Sequence, residues 1–151
     1  MSEPLGPSIH ASAVLVGARA VLIRGPAGSG KSSLALALIR AAPAVIGFAR
    51  LVADDRTLIE AAHGRLLARP VAELAGLLEV RGLGIRRLPY EPVATISHVI
   101  DLAAADGARF PEDSARQGTF HGILLPRLAV IASADPLALV LAALTTSAWS
   151  G

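Results

Sequence analysis

The chain has 151 residues and a formal net charge of +2 at pH 7, and 53% of its residues are hydrophobic while only 3% are aromatic. This length suffices for one domain with its own core, which must be built from Ala, Leu, Val and Ile. The absence of cysteine excludes disulfides, thiol nucleophiles and cysteine–zinc sites. No arginine cluster is interleaved with aromatic residues, so the composition argues against a nucleic-acid partner.

The sequence predicts a cytoplasmic protein with no membrane partner. Residues 1–4 lack the charged start and apolar run of a signal peptide. The longest apolar segment, residues 128–144, is interrupted by Ser133-Ala134-Asp135-Pro136, whereas a membrane span needs about 18 uninterrupted apolar residues.

A β-hairpin is the first predicted element. Two apolar runs, residues 12–16 and 20–23, are separated by Gly17-Ala18-Arg19, which has the composition of a turn. A helix rich in Ala and Leu is predicted over residues 33–39, and it should end near Pro43 because proline cannot continue it.

Short strands and turns dominate the rest of the chain. Residues 50–53 predict a strand that ends at Asp54-Asp55, and a second hairpin is expected around His63-Gly64. The further predicted elements are strands at 57–61 and 65–68, a short helix at 71–77, an apolar segment at 77–80, a two-glycine loop at 81–85, strands at 93–102 and 123–131, and a helix from Asp135-Pro136 to 144. This hairpin spacing predicts an α/β fold with a mixed β-sheet, and residues 1–151 are interpreted as a single domain.

The most informative motif surrounds Lys31, the only lysine in the chain. The motif matches G-x-x-x-x-G-K-[ST], the loop whose backbone N–H groups bind phosphates. It lies between an apolar strand and a predicted helix, as such a loop requires. The residues predicted to bind a nucleotide are Gly25, Pro26, Ala27, Gly28, Ser29, Gly30, Lys31 and Ser32.

The residues alone indicate a Mg²⁺-nucleotide phosphotransferase with an aspartate base. The Ser32 hydroxyl occupies the position that ligates Mg²⁺ in such loops. One of Asp54 and Asp55 would orient Mg²⁺ or its water and the other would act as a general base, because adjacent strand residues point to opposite sides. The alternative for one of them is a cap of the turn before Arg56.

Two other candidates are ambiguous at this level. Glu79 lies among apolar residues, where an acid must be paired, and an ion pair with Arg81 or Arg86 explains it as well as a metal-binding role does. His10, at the start of the first strand, is interpreted from periodicity as an exposed surface residue.

Four strings together resemble the bacterial HPr kinase/phosphorylase family. The last of them is the family's own signature and is more specific than the phosphate loop. The strings are Ile9-His10-Ala11-Ser12, Val21-Leu22-Ile23 with its phosphate loop, Arg50-Leu51-Val52-Ala53-Asp54-Asp55, and Leu78-Glu79-Val80-Arg81-Gly82-Leu83-Gly84-Ile85.

The resemblance implies an enzyme that uses ATP and Mg²⁺ to phosphorylate a regulatory serine of HPr, the small phosphocarrier protein of the phosphotransferase system. It implies that Lys31 contacts the transferred phosphoryl group and that Ser32 and Glu79 hold Mg²⁺. Asp55 would take the proton of the serine hydroxyl, and Asp54 would assist it. The reverse phosphorolysis, which consumes phosphate and releases pyrophosphate, is implied as well.

The same resemblance implies two further catalytic residues, the type of fold and the assembly. His10 would lie near the phosphates, and Arg109 would stabilise charge on the phosphoryl group. The implied fold is the phosphoenolpyruvate carboxykinase type of phosphate-loop domain. The implied assembly is a homo-oligomer, of which the family's hexamer is one form.

The sequence departs from the family pattern at several places. It resembles the short form that consists of the catalytic domain only, and Ser33 stands where longer members often have glutamate. The late loop linked to phosphorolysis is reduced to Leu124-Leu125-Pro126-Arg127, and the C-terminal end at 149–151 is short. The reverse reaction and the number of subunits therefore stay open. Two alternative functions also stay open, a small-molecule kinase and a nucleotide-binding sensor without catalysis.

Overall fold

The computed structural model describes residues 7–109 and 111–147 of the chain. The two terminal segments named above, residues 1–4 and 149–151, lie outside the described residues. Within the described part the elements are β1 (Ser8–Val16), β2 (Arg19–Arg24), α1 (Lys31–Ala41), β3 (Ala49–Ala53), β4 (Arg56–Ala62), β5 (Arg65–Pro70), β6 (Leu77–Val80), β7 (Gly84–Arg87), β8 (Ala94–Asp101), β9 (Gln117–Phe120), β10 (Ile123–Ala129) and α2 (Pro136–Thr145).

Eight of the strands form one sheet in the order β2-β1-β4-β5-β8-β10-β9, with β3 paired to β1. β8 pairs in parallel with both β2 and β10, whereas the other pairs are antiparallel. β6 and β7 form a separate antiparallel hairpin. The predicted mixed sheet is therefore confirmed, and the fold is a sheet-dominated α/β fold.

Two apolar clusters cover the two faces of β2. Val21 and Ile23 belong to the cluster that α1 and α2 cover, whereas Ala20 and Leu22 belong to the cluster on the opposite face. Because neighbouring residues of a strand face opposite sides, a strand that is buried on both faces is apolar at every position. β2 thus lies in the centre of the sheet, and the loop that follows it starts from a rigid strand.

Both helices begin or end where the sequence predicts. α1 ends at Ala41, and one π-helical turn, Ala42–Ile46, follows it. α2 begins after Asp135, whose Oδ1 accepts the N–H of Leu137 at 3.1 Å, and Pro136 occupies its first turn. Across residues 7–109 and 111–147, no helix combines the length and the hydropathy that crossing a membrane requires.

The prediction of a helix over residues 71–77 is wrong. Only a single 3-10 turn, Ala72–Leu74, is present, and the next strand, β6, follows directly after Gly76. Gly76 has a φ of +77°, which is outside the helical region, and a Cβ there would approach the ring of Tyr90 to 3.0 Å. The backbone at this glycine therefore redirects the chain into a strand.

The two-glycine loop predicted over residues 81–85 is shorter in the structure. Gly84 already belongs to β7 and pairs with Val80 of β6. The side chains of Leu83 and Ile85 in this hairpin are 67% and 64% exposed. The segment is therefore a hairpin with apolar side chains on its surface.

A network of ion pairs joins the ends of β2 and β8 to β10. Asp101 accepts hydrogen bonds from Nε and Nη2 of Arg24, both at 2.7 Å, and from Nε of Arg127 at 2.6 Å. Arg127 also donates to Asp106 at 2.7 and 3.0 Å. The segment 124–127, interpreted above as a reduced loop, is thus part of β10, and its arginine is engaged by two carboxylates.

The pKa of Asp101 lies below its usual value. Burial by itself would raise this pKa, but the hydrogen bonds and charges of Arg24 and Arg127 outweigh burial. A carboxyl group with a lowered pKa stabilises the folded state at pH values above its pKa in the unfolded chain, which is about 4. This stabilisation is lost as the pH falls through the lower pKa of the folded protein.

We expect Asp101→Asn to lower the free energy of unfolding at pH 7 by about 2 kcal/mol, because two arginines lose a charged hydrogen-bond partner. Below about pH 4 the wild-type protein should lose stability more steeply than the variant, since only the wild type must protonate this carboxylate. Urea unfolding at a series of pH values measures both effects.

Asp106→Asn is the matched control, because Asp106 is 52% exposed and contacts only Arg127 of the network. Asp106→Asn should lower the free energy of unfolding less than Asp101→Asn does, because exposed ion pairs contribute little to stability. Equal losses in the two variants, or parallel pH curves for wild type and Asp101→Asn, would contradict the role assigned to Asp101.

Candidate active site

Part of the phosphate loop and several candidate catalytic side chains border one cavity of about 230 Å³. Four parts of the chain contribute to it: the start of β1, the loop with the first turn of α1, the residue pair after β3, and β6 with its turn. The sequence-predicted site residues in its lining are His10, Ala27, Gly28, Gly30, Lys31, Ser32, Asp55 and Glu79.

The phosphate loop leads from β2 into the N-terminus of α1. Lys31 is 9% exposed, and its Nζ donates to the carbonyl oxygens of Gly25 at 2.8 Å and Pro26 at 3.1 Å. Gly30 has a φ of +98°, a conformation that a side chain would strain. The unpaired N–H groups and the dipole at the N-terminus of α1 favour an anion here. The ammonium group of Lys31 can exchange one of its carbonyl partners for a phosphate oxygen.

Asp54 organises the site and is itself only 5% exposed. Its Oδ1 accepts hydrogen bonds from the hydroxyls of Ser12 and Ser32, both at 2.7 Å. Its Oδ2 lies 2.9 Å from the Ser32 hydroxyl and accepts the backbone N–H of Glu79 at 3.1 Å. A carboxylate is only an acceptor, so these donors from β1, α1 and β6 offset the cost of its burial.

Asp55, the next residue, faces the cavity. Its φ is +67°, in the left-handed region, and its side chain is 63% exposed. Its Oδ1 lies 3.7 Å from Nδ1 of His10, which borders the same cavity. The two adjacent aspartates therefore have different environments, since Asp54 is enclosed by donors and Asp55 is open to a substrate.

Glu79 borders the cavity with an exposed side chain. The ion pair considered for it with Arg81 or Arg86 does not form within the described residues. Alternation along β6 explains this, because Leu78 is buried and Glu79 points to the opposite side. Arg81 lines the cavity too. Residues two positions apart in a strand point to the same side, so the spacing from Glu79 could have identified Arg81 as a site residue.

Ser12 is a site residue that the sequence analysis missed. It is fully buried in β1 between Ala11 and Ala13, and its hydroxyl contacts Asp54. A polar side chain inside an apolar strand requires a hydrogen-bond partner, and this requirement was the available signal.

Two predicted catalytic residues, Asp54 and Arg109, are not part of this cavity's lining, although Asp54 contacts Ser32, which is. Arg109 lies in the loop after β8 with an exposed side chain. Its role at the phosphoryl group stays a prediction.

The oxygen atoms available as metal ligands fit a Mg²⁺ ion that is bound together with a nucleotide. The Ser32 hydroxyl and the carboxylates of Asp54 and Glu79 are oxygen donors, the type that Mg²⁺ prefers. In the described part of the chain, no three His, Cys, Asp or Glu side chains are grouped closely enough to hold a metal ion. Mg²⁺ commonly combines one or two protein oxygens with phosphate oxygens and waters, so the site suits an ion that is bound with the substrate.

The chain is similar in sequence to HPr kinase/phosphorylases of several bacteria. It is 38% identical over 104 residues to that of Clostridium tetani, a match that covers 68% of this chain and 32% of the relative. It is 42% identical over 79 residues to that of Streptococcus thermophilus, which covers 52% of this chain and 24% of the relative. The chain thus spans about a third or less of the length of these curated relatives.

A solved structure and a family profile complete the comparison. The HPr(Ser) kinase/phosphatase of Coxiella burnetii has a similar fold, with a TM-score of 0.72 over 90% of this chain and 87% of that chain at 22% sequence identity. The profile of the HPr Serine kinase C-terminal domain matches residues 5–105, a range that includes every residue lining the cavity. The chain therefore belongs to the HPr serine kinase C-terminal domain family.

Proposed function

We propose that the chain catalyses the ATP- and Mg²⁺-dependent phosphorylation of a serine side chain on an HPr-type phosphocarrier protein. The observation that carries this proposal is that Lys31, Ser32, Asp55 and Glu79 border one cavity at the phosphate loop. The relatives named above are HPr kinase/phosphorylases, and the family profile spans all four residues.

Phosphoryl transfer requires positioning, neutralisation of charge and a base. In the proposed reaction the serine oxygen forms a bond to the γ-phosphorus while the bond from that phosphorus to the β–γ bridging oxygen breaks. Asp55 accepts the proton of the serine hydroxyl. Lys31 and the N-terminus of α1 stabilise negative charge on the phosphoryl oxygens and on the departing ADP. Mg²⁺, held through Ser32 and Glu79, would supply further neutralisation.

The exposure of the site supports a protein as the phosphoryl acceptor. The side chain of Asp55 is 63% exposed, so a serine on the surface of a folded protein can reach it. The β6–β7 hairpin adjoins the cavity through Glu79 and Arg81 and presents exposed Leu83 and Ile85. Exposed apolar side chains beside a reaction site suit contact with a protein, and this hairpin is our proposed contact for HPr.

The proposal has structural and cellular parts as well. Residues 1–151 would form one catalytic domain of the phosphoenolpyruvate carboxykinase type, which the strand–loop–helix unit within a mixed sheet supports. The protein would be cytoplasmic, where ATP is available, and would assemble as a homo-oligomer. In the reverse reaction inorganic phosphate would attack the phosphoserine phosphorus, and Asp55 would return its proton to the serine oxygen, as microscopic reversibility requires.

Incubation of the protein with HPr, Mg²⁺ and γ-labelled ATP should transfer label to HPr. We expect Lys31→Ala and Asp55→Asn each to lower the initial rate at least about 100-fold, because the first loses charge neutralisation and the second loses the base. Label that later leaves HPr as pyrophosphate on addition of inorganic phosphate would establish the reverse reaction, whereas stable label would indicate a kinase only.

Asp113→Asn serves as the control for Asp55→Asn, because the Asp113 side chain is fully exposed and lies outside the cavity lining. This variant should retain the wild-type rate. Undiminished transfer by both Lys31→Ala and Asp55→Asn would contradict the proposal, and tight ATP binding without any transfer would favour a nucleotide sensor.

We expect Ser12→Ala to raise the Mg²⁺ concentration for half-maximal activity roughly tenfold, because Asp54 loses a donor that orients it toward Ser32. Thr57→Val is the matched control: the Thr57 hydroxyl is equally buried, but it donates to the carbonyl of Ala11 rather than to Asp54. This control should change stability without a shift in Mg²⁺ dependence, and Ser12→Thr should restore wild-type behaviour. Similar Mg²⁺ curves for Ser12→Ala and Thr57→Val would show that Ser12 acts only on the fold.

A further inference from the structure

Arg24 is the last residue of β2, and its side chain forms a bidentate ion pair with the last residue of β8. Nε and Nη2 of Arg24 donate to the two carboxylate oxygens of Asp101, each at 2.7 Å. The same two residues are partners in the parallel β2–β8 register. The phosphate loop begins at the next position, Gly25, so this ion pair lies at the strand end from which the loop starts.

The Arg24 side chain lies on the side of the sheet opposite to α1. Its neighbour Ile23 belongs to the apolar cluster that α1 covers, and adjacent strand residues point to opposite sides. Cζ of Arg24 accordingly lies 4.7 Å from the centre of the Phe120 ring, which packs against the other apolar cluster. Arg24 is not part of the lining of the cavity at the loop. Any effect of Arg24 on a nucleotide is therefore transmitted through the backbone of the loop.

The backbone connects this strand end to Lys31. The carbonyl oxygen of Arg24 accepts the N–H of Leu102, the residue that follows β8, at 2.8 Å. The next two carbonyl oxygens, those of Gly25 and Pro26, accept Nζ of Lys31 at 2.8 and 3.1 Å. Gly25 is packed so closely that an added Cβ would lie 3.1 Å from Cβ of Leu102. A displacement of the end of β2 would therefore move the carbonyl groups that hold the ammonium group.

We propose that Arg24 is a positioning residue for phosphate binding, an inference that rests on the proposed function. Its bidentate pair with Asp101 holds the end of β2 against β8. This fixed end places the two loop carbonyl groups that orient Lys31. Two parallel hydrogen bonds fix direction as well as distance, whereas a lysine offers a compact charge on a flexible stem. The position therefore requires a guanidinium group and not only a positive charge.

Asp101 has a second partner, which makes the role of Arg24 testable by substitution. Nε of Arg127, in β10, donates to Oδ2 of Asp101 at 2.6 Å. Removal of one partner from a buried ion pair is strongly destabilising when it leaves a charge uncompensated. Because Arg127 remains beside Asp101, replacement of Arg24 should release the end of β2 without leaving this carboxylate unpaired.

Arg50 provides a matched control. It also pairs with a carboxylate, that of Glu91 at 3.1 Å, and its Cζ lies 5.1 Å from the centre of an aromatic ring, that of Phe48. The side chains of Arg24 and Arg50 are 37% and 39% exposed. Arg50 pairs with Leu15, near the end of β1 that is remote from the phosphate loop. The two arginines thus differ mainly in their position relative to the loop.

Transfer kinetics with HPr at varied Mg²⁺-ATP concentration, together with calorimetry of ATP binding, test this proposal. Arg24→Met should raise the KM and the Kd for ATP about tenfold and leave kcat within about threefold, because a displaced loop weakens phosphate binding in the substrate complex and in the transition state alike. Arg24→Lys should give intermediate values and provides a smaller change if the methionine variant does not fold. Arg50→Met should lose a similar amount of stability in urea and keep the wild-type KM and Kd.

Equal KM and Kd values for Arg24→Met and Arg50→Met would overturn the proposal, since the ion pair of Arg24 would then stabilise only the fold. A loss confined to kcat would overturn it too, and so would full recovery of the wild-type KM by Arg24→Lys. Wild-type protein that binds ATP without phosphorylating HPr would overturn the proposed function alone, and the Kd values would then decide the role of Arg24. Absence of both binding and transfer would overturn both proposals.

Discussion

The geometry of the active site depends on the buried carboxylate of Asp54. Because a carboxylate can only accept hydrogen bonds, it is tolerated in the interior only where donors converge on it. Those donors come from β1, from the first turn of α1 and from the backbone of β6, through Ser12, Ser32 and Glu79. One side chain thus fixes the distance between the phosphate loop and the strand that carries Glu79.

The position of Asp54 also determines the environment of Asp55. If β3 continued through Asp55, the side chain of Asp55 would point to the side of the sheet opposite to that of Asp54. The left-handed φ of +67° at Asp55 directs the side chain to the cavity instead. This conformation costs about 1 kcal/mol or more for a residue other than glycine, and the contacts of Asp54 and the bond from Arg56 N–H to the Asp54 carbonyl at 2.7 Å help to hold it. A buried acid and an exposed acid therefore arise from adjacent positions.

Features that local chemistry determines could be predicted from the sequence, including the positions of most strands along the chain, the phosphate loop and the start of α2. The helix prediction before β6 was wrong, because the backbone conformation of Gly76 depends on its close approach to Tyr90. Ser12 was missed because its partner, Asp54, lies 42 positions away in the sequence. Contacts between distant segments decide these two features, and the local sequence does not identify the partner in such a contact. Glu79 differs, because its pairing was left open although alternation along β6 gives its orientation.

The ionisable side chains around the phosphate loop differ in how they are paired. Arg24 ends β2 immediately before the loop and is paired with Asp101, which also accepts a hydrogen bond from Arg127. These side chains satisfy one another within the sheet. Within the described part of the chain Lys31, in contrast, donates only to backbone carbonyls of the loop, and the exposed carboxylate of Asp55 lies 3.7 Å from His10. Because a carbonyl can be exchanged for a phosphate oxygen and an exposed carboxylate can accept a proton, the charges at the cavity remain available for chemistry, whereas those of the ion-pair network stabilise the fold.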